Sequence, residues 1–260
     1  MFRILTVGLT AVAVFSGGAA HDSKPDSRAV TLCKTYQHIT VRHGGVQYVV
    51  RNDNYGQDKE CLANQGQAAN FTVIRSSAHV SRVEPVAFPN IFAGCSWGVC
   101  SPHSVLPLRA DRIKSLVTTW HTTIKAGGTW GAGYDIWFAR KPARSGQSSG
   151  AEMMIWLNAR GFGTNTWPVV VIDHVRWHLA HWVTGGHGKR WNYIQFRRLS
   201  STSKVTNLRL KPFIAVAERY RLIKPRWWLT SVEAGFEIWR GGVGLRTTQF
   251  MVRLRAAHGG

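Results

Sequence analysis

Two glutamates, Glu152 and Glu237, stand in stretches of alternating residue type, each on the side opposite an apolar stripe. Successive side chains of a strand point to opposite faces of the sheet, so this alternation keeps both carboxylates off the packed face. The apolar stripes consist of Met153, Ile155 and Leu157 in the first stretch and of Val232, Ala234, Phe236 and Ile238 in the second. Because the chain contains only 13 acidic residues, carboxylates in these two places predict a catalytic pair rather than surface decoration.

A third carboxylate, Asp135, alternates with apolar neighbours in the same way. Residues 141–150 are charged and then small and polar, which predicts a loop between the strands of Asp135 and Glu152. If these strands pair as a hairpin, the two acids approach each other and resist simultaneous ionisation, which raises one pKa. Such a set suits glycosidic bond cleavage, in which one carboxyl group protonates the leaving oxygen and another attacks the anomeric carbon or activates water.

Other polar residues offer rival sites. Glu233 shares a strand face with Glu237 and competes for the role of acid, and strand alternation does not separate the two. A metal site is suggested by Asp173, His174, His178 and His181. The spacing of these histidines does not place all three on one strand face, so we expect no metal and no cofactor.

The elements that must position these residues are mostly strands, because β-branched and aromatic residues alternate with polar ones between glycine-rich turns. A hairpin is predicted where residues 39–43 lead into Gly44-Gly45 and residues 46–50 return. Further strands are predicted at 71–75, 115–123, 134–139, 152–158, 169–172, 177–183, 191–199, 229–239 and 247–254. One short helix is predicted from Lys211 to Tyr220, where apolar residues recur at helical spacing after Pro212. The pattern predicts an all-β sandwich.

The N-terminus has the three parts of a secretory signal peptide: a positive charge, an apolar run, and small residues that end at Ala20. The apolar run is shorter than the ~20 residues of a spanning helix, and no later segment is apolar enough to span. The predicted organisation is a signal peptide at 1–20, a flexible mature N-terminus at 21–32 and a single domain at 33–260. We therefore expect a secreted protein without membrane insertion.

Four cysteines in an exported chain predict two disulfides. Cys95 and Cys100 lie five residues apart in a loop-like stretch with room for a local bridge, which leaves Cys33 to pair with Cys61. A zinc site is disfavoured because the spacings form no paired knuckles.

The formal net charge of +20 would attract polyanions. The basic residues are scattered, however, and they form neither a long basic run nor a recognisable nucleic-acid module. Export also argues against a nucleic-acid partner. We expect a solvated basic surface with loose attraction to anionic surfaces, on a monomer.

Five motifs follow one another along the chain in a characteristic order. They are Tyr48 to Gly56 (Tyr-Val-Val-Arg-Asn-Asp-Asn-Tyr-Gly) ahead of Cys61, Gly94-Cys95 to Cys100-Ser101, Tyr134-Asp135-Ile136-Trp137, Glu152 to Leu157 (Glu-Met-Met-Ile-Trp-Leu), and Ala234 to Trp239 (Ala-Gly-Phe-Glu-Ile-Trp) followed by Gly241-Gly242. In this order and spacing, the chain resembles the secreted bacterial endoglucanases of glycoside hydrolase family 12 from about Cys33 to Leu254. The resemblance implies a jelly roll of two curved antiparallel sheets, one helix on the convex side, and an open cleft across the concave sheet.

The resemblance also implies a role for each carboxylate. Glu152 corresponds to the nucleophile, Glu237 to the general acid and base, and Asp135 to the partner that hydrogen-bonds to Glu152 and tunes it. The motif thus selects Glu237 over Glu233, which is expected farther along the strand and outside the cleft. Met154 would line the floor beside the scissile sugar, and the reaction would proceed with retention through a glycosyl-enzyme intermediate. The disulfides of the family fall on the same cysteine pairs.

Two parts of the chain depart from the family pattern. The family shows Asn-Asn-x-Trp where this chain has Asn-Asp-Asn-Tyr, so Asp53 and Tyr55 take positions that hold a glucose ring on the non-reducing side. Residues 163–168 replace a Pro-Ile-Gly loop and are expected to reshape one wall of the cleft. Both departures bear on the substrate more than on the chemistry.

The sequence therefore predicts a secreted endo-β-1,4-glucanase that acts on a β-glucan such as soluble cellulose, mixed-linkage glucan or xyloglucan. The alternative is a noncatalytic polysaccharide-binding protein on the same fold, whose cationic surface would serve adhesion to a cell wall. Glu152, Glu237 and Asp135 together favour the enzyme, because a binding protein needs none of them.

Overall fold

The computed structural model describes residues 29–56, 59–81, 84–144, 149–163, 165–186 and 188–257. The predicted signal peptide lies outside these residues, as does most of the predicted flexible segment. The last residues of that segment form a strand instead, Val30–Leu32, in which Leu32 is fully buried and pairs with Leu62. Burial of Leu32 fixes this stretch in the core, so the predicted start of the domain lies slightly too late.

Strands account for most of the described residues. In chain order they are β1 (Val30–Leu32), β2 (His38–His43), β3 (Val46–Arg51), β4 (Glu60–Asn64), β5 (Phe71–Ser76), β6 (Asn90–Ser96), β7 (Val99–Cys100), β8 (Leu108–Arg109), β9 (Ile113–Ile124), β10 (Gly128–Ala139), β11 (Ala151–Arg160), β12 (Val169–Ile172), β13 (Val175–Gly186), β14 (Lys189–Arg198), β15 (Lys204–Arg209), β16 (Trp228–Gly241) and β17 (Leu245–Ala256). A 3-10 turn spans Ala110–Arg112, and the helix α1 spans Lys211–Arg219. Every strand predicted from the sequence overlaps one of these strands. None of the helical turns in the described ranges is long and apolar enough to cross a membrane.

The strands form two sheets. The small sheet has the order β1-β4-β5-β17-β9-β15, and the large sheet has the order β12-β13-β14-β11-β10-β16-β6-β3-β2, with β7 beside β6 and β8 beside β16. Neighbouring strands run antiparallel except β11 and β14, which pair in parallel. The predicted all-β jelly roll with one helix is confirmed.

Large aromatic side chains fill the space between the two sheets. Trp120 of β9 meets Tyr134 of β10 with ring centroids 5.5 Å apart, and Tyr48 of β3 meets Phe250 of β17 at 5.2 Å. The hydroxyl of Tyr48 also accepts a hydrogen bond from the backbone N–H of Val252 at 3.1 Å. These contacts hold the sheets together on one face of the large sheet. The opposite face of the large sheet is called here the outer face.

The strand β10 shows the predicted alternation. Tyr134, Ile136 and Phe138 are fully buried in the core, so Asp135 and Trp137 stand on the outer face. The strands β10 and β11 pair as the predicted hairpin, and this pairing brings the two candidate acids onto adjacent strands.

The helix α1 begins where Pro212 predicts and ends one residue earlier than expected. It buries Phe213, whose ring packs against Trp177 of β13 at 4.9 Å and Phe196 of β14 at 5.2 Å between centroids. The helix therefore covers the apolar face of β13 and β14.

Both predicted disulfides are present. Cys33 bonds to Cys61 of β4, and Cys95 of β6 bonds to Cys100 of β7. The first ties the segment after β1 to the neighbouring strand of the small sheet. The second closes the β6–β7 hairpin.

Strands β1, β4, β6 and β15 and the two-residue strands β7 and β8 were not predicted from the sequence. The strand β6 is buried along its whole length, so its residues show no alternation of apolar and polar types. The strand β15 lies at the edge of the small sheet and is mostly polar and exposed. Neither pattern resembles a half-buried strand.

Replacing Phe213 by alanine should lower the free energy of unfolding by about 3–5 kcal/mol, because the ring fills the space between α1 and the large sheet. Arg219 is exposed at the end of the same helix, and its replacement by alanine should cost less than about 1 kcal/mol. Urea unfolding measures both changes. Equal losses in the two variants would contradict this packing role.

Candidate active site

The three candidate carboxylates lie on three adjacent strands of the large sheet. The strand β10 lies between β11 and β16, and it carries Asp135. Glu152 of β11 stands opposite Trp137 of β10, and Glu237 of β16 stands opposite Gly131. Strand alternation turns all three carboxyl groups to the outer face, where the sequence analysis expected them.

Each of these carboxyl groups accepts a hydrogen bond from a tryptophan indole. The pairs are Trp191 Nε1 to Glu152 Oε2 at 2.6 Å, Trp156 Nε1 to Glu237 Oε2 at 2.7 Å, and Trp137 Nε1 to Asp135 Oδ2 at 2.7 Å. A donor that bonds to a carboxylate favours its charged form and fixes the orientation of the group. The sequence analysis did not predict these contacts.

Burial dominates the ionisation of these groups. It raises the pKa of Glu237 to about 7, against the opposing effect of the Trp156 hydrogen bond. Burial, the hydrogen bond from Trp191, and the charges of Glu237 and Glu233 together raise the pKa of Glu152 to about 8; of these only the hydrogen bond acts in the opposite direction. The set therefore keeps protons at neutral pH that ordinary glutamates would have lost.

The pKa of Asp135 lies well above its usual range. Burial is the main cause, followed by the charges of Glu152 and Glu233. Its Oδ2 accepts the Trp137 hydrogen bond, and its Oδ1 has no hydrogen-bond partner among the described residues. Asp135 is thus a buried carboxyl group with one oxygen available to carry a proton.

The sequence analysis expected Glu233 farther along the strand than Glu237 and outside the cleft. It stands directly opposite Asp135 in the pairing of β10 with β16 and is only 1% exposed. Its carboxylate accepts hydrogen bonds from Arg51 Nη2 at 3.2 Å and from the Ser231 hydroxyl at 2.9 Å. Glu233 is therefore shielded from a substrate on the outer face, but its charge acts on Asp135.

Arg51 connects two buried carboxylates. Its Nη2 donates to Asp53 Oδ2 at 2.9 Å as well as to Glu233, and its guanidinium lies 5.1 Å from the ring centre of Phe92. Asp53 is 8% exposed and also accepts a hydrogen bond from Asn90 at 3.4 Å. Asp53 thus belongs to a buried ion-pair network, and its inferred contact with a sugar stays a prediction.

Tyr55 and Met154 take different places in the site. Tyr55 is 44% exposed, and the pKa of its phenol lies well above the usual range because of burial of the hydroxyl and the charges of Glu237, Asp53 and Glu152. Met154 is buried, stands opposite Asp135, and packs with Trp156. Tyr55 therefore lies near the carboxylates, and Met154 lies beside Asp135 on the neighbouring strand. Their contacts with substrate stay predictions.

Tyr193 is a site residue that the sequence analysis missed. It stands beside Glu152 in the parallel pairing of β11 with β14. Burial and then the charges of Glu237, Glu152 and Asp135 raise the pKa of its phenol well above the usual range. Its ring stacks on Trp182 of β13 with centroids 4.3 Å apart. The signal was present in the sequence, because Tyr193 and Gln195 alternate with the apolar residues Ile194 and Phe196 in β14.

The rival metal cluster does not assemble. Asp173 instead accepts a hydrogen bond from Arg209 Nε at 3.0 Å. Across the described ranges, no group of three or more histidine, cysteine, aspartate or glutamate side chains is placed to hold a metal ion.

Replacing Arg51 by methionine should lower the free energy of unfolding by about 3–5 kcal/mol, because Asp53 and Glu233 would lose the cation between them. Adding Asp53→Asn and Glu233→Gln to the same chain should restore most of the loss, since no unpaired charge then remains. Urea unfolding at neutral pH compares the single and the triple variant. Equal stability of the two would contradict the ion-pair network.

Comparison with known proteins connects this site to a family. The chain matches glycosyl hydrolase family 12 over residues 46–254. It is similar to Endoglucanase S of Pectobacterium parmentieri, with 28% identity over 179 residues that cover 65% of this chain and 66% of that protein.

Solved structures extend the likeness to the fold. A metagenome-derived glycoside hydrolase family 12 endoglucanase is 36% identical, with a TM-score of 0.80 over 89% of this chain and 100% of that one. Endoglucanase cel12A from Rhodothermus marinus is 35% identical, with a TM-score of 0.79 over 87% of this chain and 99% of that one. By its sequence and its fold, the chain belongs to glycosyl hydrolase family 12.

Proposed function

We propose that the protein is an endo-β-1,4-glucanase that cuts internal bonds of a β-glucan with retention of configuration. The observation that carries the proposal is the placement of Glu152, Glu237 and Asp135 on the outer face of adjacent strands, each anchored by an indole N–H. The similar proteins described as endoglucanases support the substrate class.

Glu237 is the general acid of this mechanism. With a pKa of about 7, a large fraction of Glu237 is protonated at neutral pH and able to give its proton to the glycosidic oxygen. Transfer of the proton converts the leaving sugar into a neutral alcohol. The remaining carboxylate of Glu237 then serves as the base in the next step.

Glu152 is the nucleophile. Its carboxylate attacks the anomeric carbon while the bond to the leaving oxygen breaks, which gives a covalent glycosyl-enzyme. Asp135 and Glu152 together keep a shared proton, since both have raised pKa values. When that proton lies on Asp135, Glu152 is ionised and able to attack.

Hydrolysis of the intermediate completes the cycle. The carboxylate of Glu237 removes a proton from a water molecule as that water attacks the anomeric carbon. The bond to Glu152 breaks, and Glu237 returns to its protonated form. Two inversions at the anomeric carbon give net retention.

The sugar contacts proposed for this site are Asp53, Tyr55 and Met154. Tyr55 is the strongest of them, because its ring is partly exposed and its hydroxyl lies near the catalytic carboxylates. An aromatic ring stacks on the apolar face of a glucose unit. Asp53 would act from within the ion-pair network, and Met154 would contact the sugar above Asp135.

The substrates proposed are soluble cellulose, mixed-linkage β-glucan and xyloglucan. The signal peptide predicted at residues 1–20 and the two disulfides support export to an oxidising, extracellular location. There the protein would act as a monomer, with its basic surface attracted loosely to anionic polymers.

Purified mature protein should release new reducing ends from carboxymethylcellulose and barley β-glucan. Glu152→Ala and Glu237→Ala should each lower kcat by about 10²–10⁴, because each removes a group that reacts directly. Glu218→Ala, on helix α1, is the matched control and should leave kcat unchanged. Proton NMR of the first product should show the β-anomer.

Full activity in both catalytic variants would overturn the site assignment. No activity of the wild-type protein on any β-glucan, together with binding to one, would favour the noncatalytic alternative.

The pH dependence of kcat/KM should be bell-shaped. Activity should fall as the pH rises through about 7, because Glu237 then loses the proton that it must donate. It should also fall at low pH, where the pair of Asp135 and Glu152 takes up a second proton. An aryl β-cellobioside with a 2,4-dinitrophenol leaving group needs no general acid. With this substrate, kcat/KM should therefore fall less as the pH rises through about 7. An alkaline limb centred above pH 9 on both substrates would contradict this role of Glu237.

A further inference from the structure

Trp156 reaches Glu237 by lying across the strand between them. Trp156 belongs to β11 and Glu237 to β16, while β10 separates the two strands. At Gly131 and Gly133 of β10, an added Cβ would come within 2.7 Å and 2.8 Å of the indole of Trp156. The absence of side chains at these two positions makes room for the ring, so the indole N–H spans a whole strand to meet the acid.

The ring of Trp156 is held on its other sides as well. It is buried, and its centroid lies 5.1 Å from that of Phe162 and 6.1 Å from that of Trp239. The guanidinium of Arg197 lies 5.9 Å from its ring centre. The N–H is therefore presented to Glu237 by a side chain with little freedom to move.

Trp191 donates a hydrogen bond to Glu152 from the side of β11 that lies away from β10. It belongs to β14, the parallel neighbour of β11, and its ring centroid lies 5.6 Å from that of Trp137. Its Nε1 donates to Glu152 Oε2 at 2.6 Å. In both glutamates the indole contacts Oε2, which leaves Oε1 as the second oxygen of the carboxyl group.

We propose that Trp156 and Trp191 are positioning residues that each reserve one oxygen of a catalytic carboxyl group, so that the other oxygen reacts. An N–H that points at Oε2 of Glu237 excludes a proton from that atom, which leaves the proton on Oε1. In the same way, Oε2 of Glu152 is occupied and Oε1 faces the anomeric carbon. This inference rests on the proposed function and assigns its reacting atoms.

With these reacting atoms, every bond and proton of the first step is accounted for. A lone pair of Glu152 Oε1 forms the bond to the anomeric carbon, and the glycosidic bond breaks with its electron pair on the leaving oxygen. That oxygen takes the proton from Glu237 Oε1. The ester then has Oε2 as its carbonyl oxygen, which still accepts the N–H of Trp191.

Other charged or titratable groups surround the two glutamates and stay unchanged in the variants below. They are Asp135 of β10, Tyr193 and Arg197 of β14, Glu233 of β16, and Arg51, Asp53 and Tyr55 at and after the end of β3. A change confined to one glutamate therefore reports the loss of its own indole donor.

Trp156→Phe keeps an aromatic ring but removes the N–H from Glu237. It should lower kcat/KM on β-glucan by about ten- to a hundredfold, the effect of losing one charge-assisted hydrogen bond. The alkaline limb should move to higher pH, because that hydrogen bond lowers the pKa of Glu237. The loss should largely disappear on 2,4-dinitrophenyl β-cellobioside, which needs no acid. Gly131→Ala should reproduce this pattern with Trp156 intact, since the atoms nearest the new Cβ are those of the indole.

Trp191→Phe should move the acid limb of the pH profile of kcat/KM. Without its donor, Glu152 should hold its proton to higher pH, so the acid limb rises while the alkaline limb stays in place. The activated aryl substrate should not rescue this variant, because the nucleophile is needed for both substrates. Carbon-13 NMR of labelled glutamate side chains measures the two pKa values directly, whether or not the protein is active.

Trp177→Phe is the matched control, since its buried indole nitrogen has no hydrogen-bond partner in the described part of the chain. It should leave the acid and alkaline limbs of the pH profile and the pKa values of Glu152 and Glu237 unchanged. If Trp156→Phe and Trp191→Phe lower activity without moving separate limbs, as a general loss of packing would, the inference is overturned. A wild-type protein without glucanase activity would instead defeat the proposed function, and the NMR titrations would still decide whether each indole holds its own carboxylate.

Discussion

Crowding of carboxyl groups on one face of the large sheet is the constraint on which the rest of the site depends. The group consists of Asp53, Asp135, Glu152, Glu233 and Glu237, with the guanidinium of Arg51 among them. Full ionisation would set five negative charges against this one positive charge in a poorly hydrated place. Each unit of pKa shift corresponds to about 1.36 kcal/mol, so the raised values record a substantial electrostatic cost. The protein limits that cost by keeping some of the groups protonated and by pointing N–H donors at the carboxyl oxygens.

The sandwich supplies the stiffness that such a site requires. Aromatic rings packed between the sheets hold β10 on one side, and its outer face carries Asp135 between the strands of the two glutamates. Groups on neighbouring strands keep their spacing better than groups on loops. The tryptophan donors also come from strands, so both the acids and their anchors belong to the same framework.

The sequence predicted the strand faces well, because alternation is a local signal. The positions of Asp135, Glu152 and Glu237 on the outer face follow from it directly. The register between strands that are distant in the sequence is not a local signal. For that reason, the pairing of Asp135 with Glu233 was not predicted. Strand β6 was not predicted for another reason: it is buried on both faces, so its apolar and polar residues do not alternate.

The donors to the carboxylates were the hardest part to predict. An indole that packs in a core and one that holds a carboxylate have the same residue type and similar strand positions. What distinguishes Trp156 is the pair of glycines on the next strand, and their effect is visible only once β10 and β11 are in register. The family resemblance implied roles for the three carboxylates but gave no information on these contacts.

The ion pair of Arg51 with Asp53 limits which residues the two positions tolerate. By itself, the aspartate at position 53 would add one more charge to a region already rich in acids. The guanidinium 2.9 Å away on the same stretch of chain neutralises it. Positions 51 and 53 are therefore coupled: the effect of replacing one residue depends on which residue stands at the other.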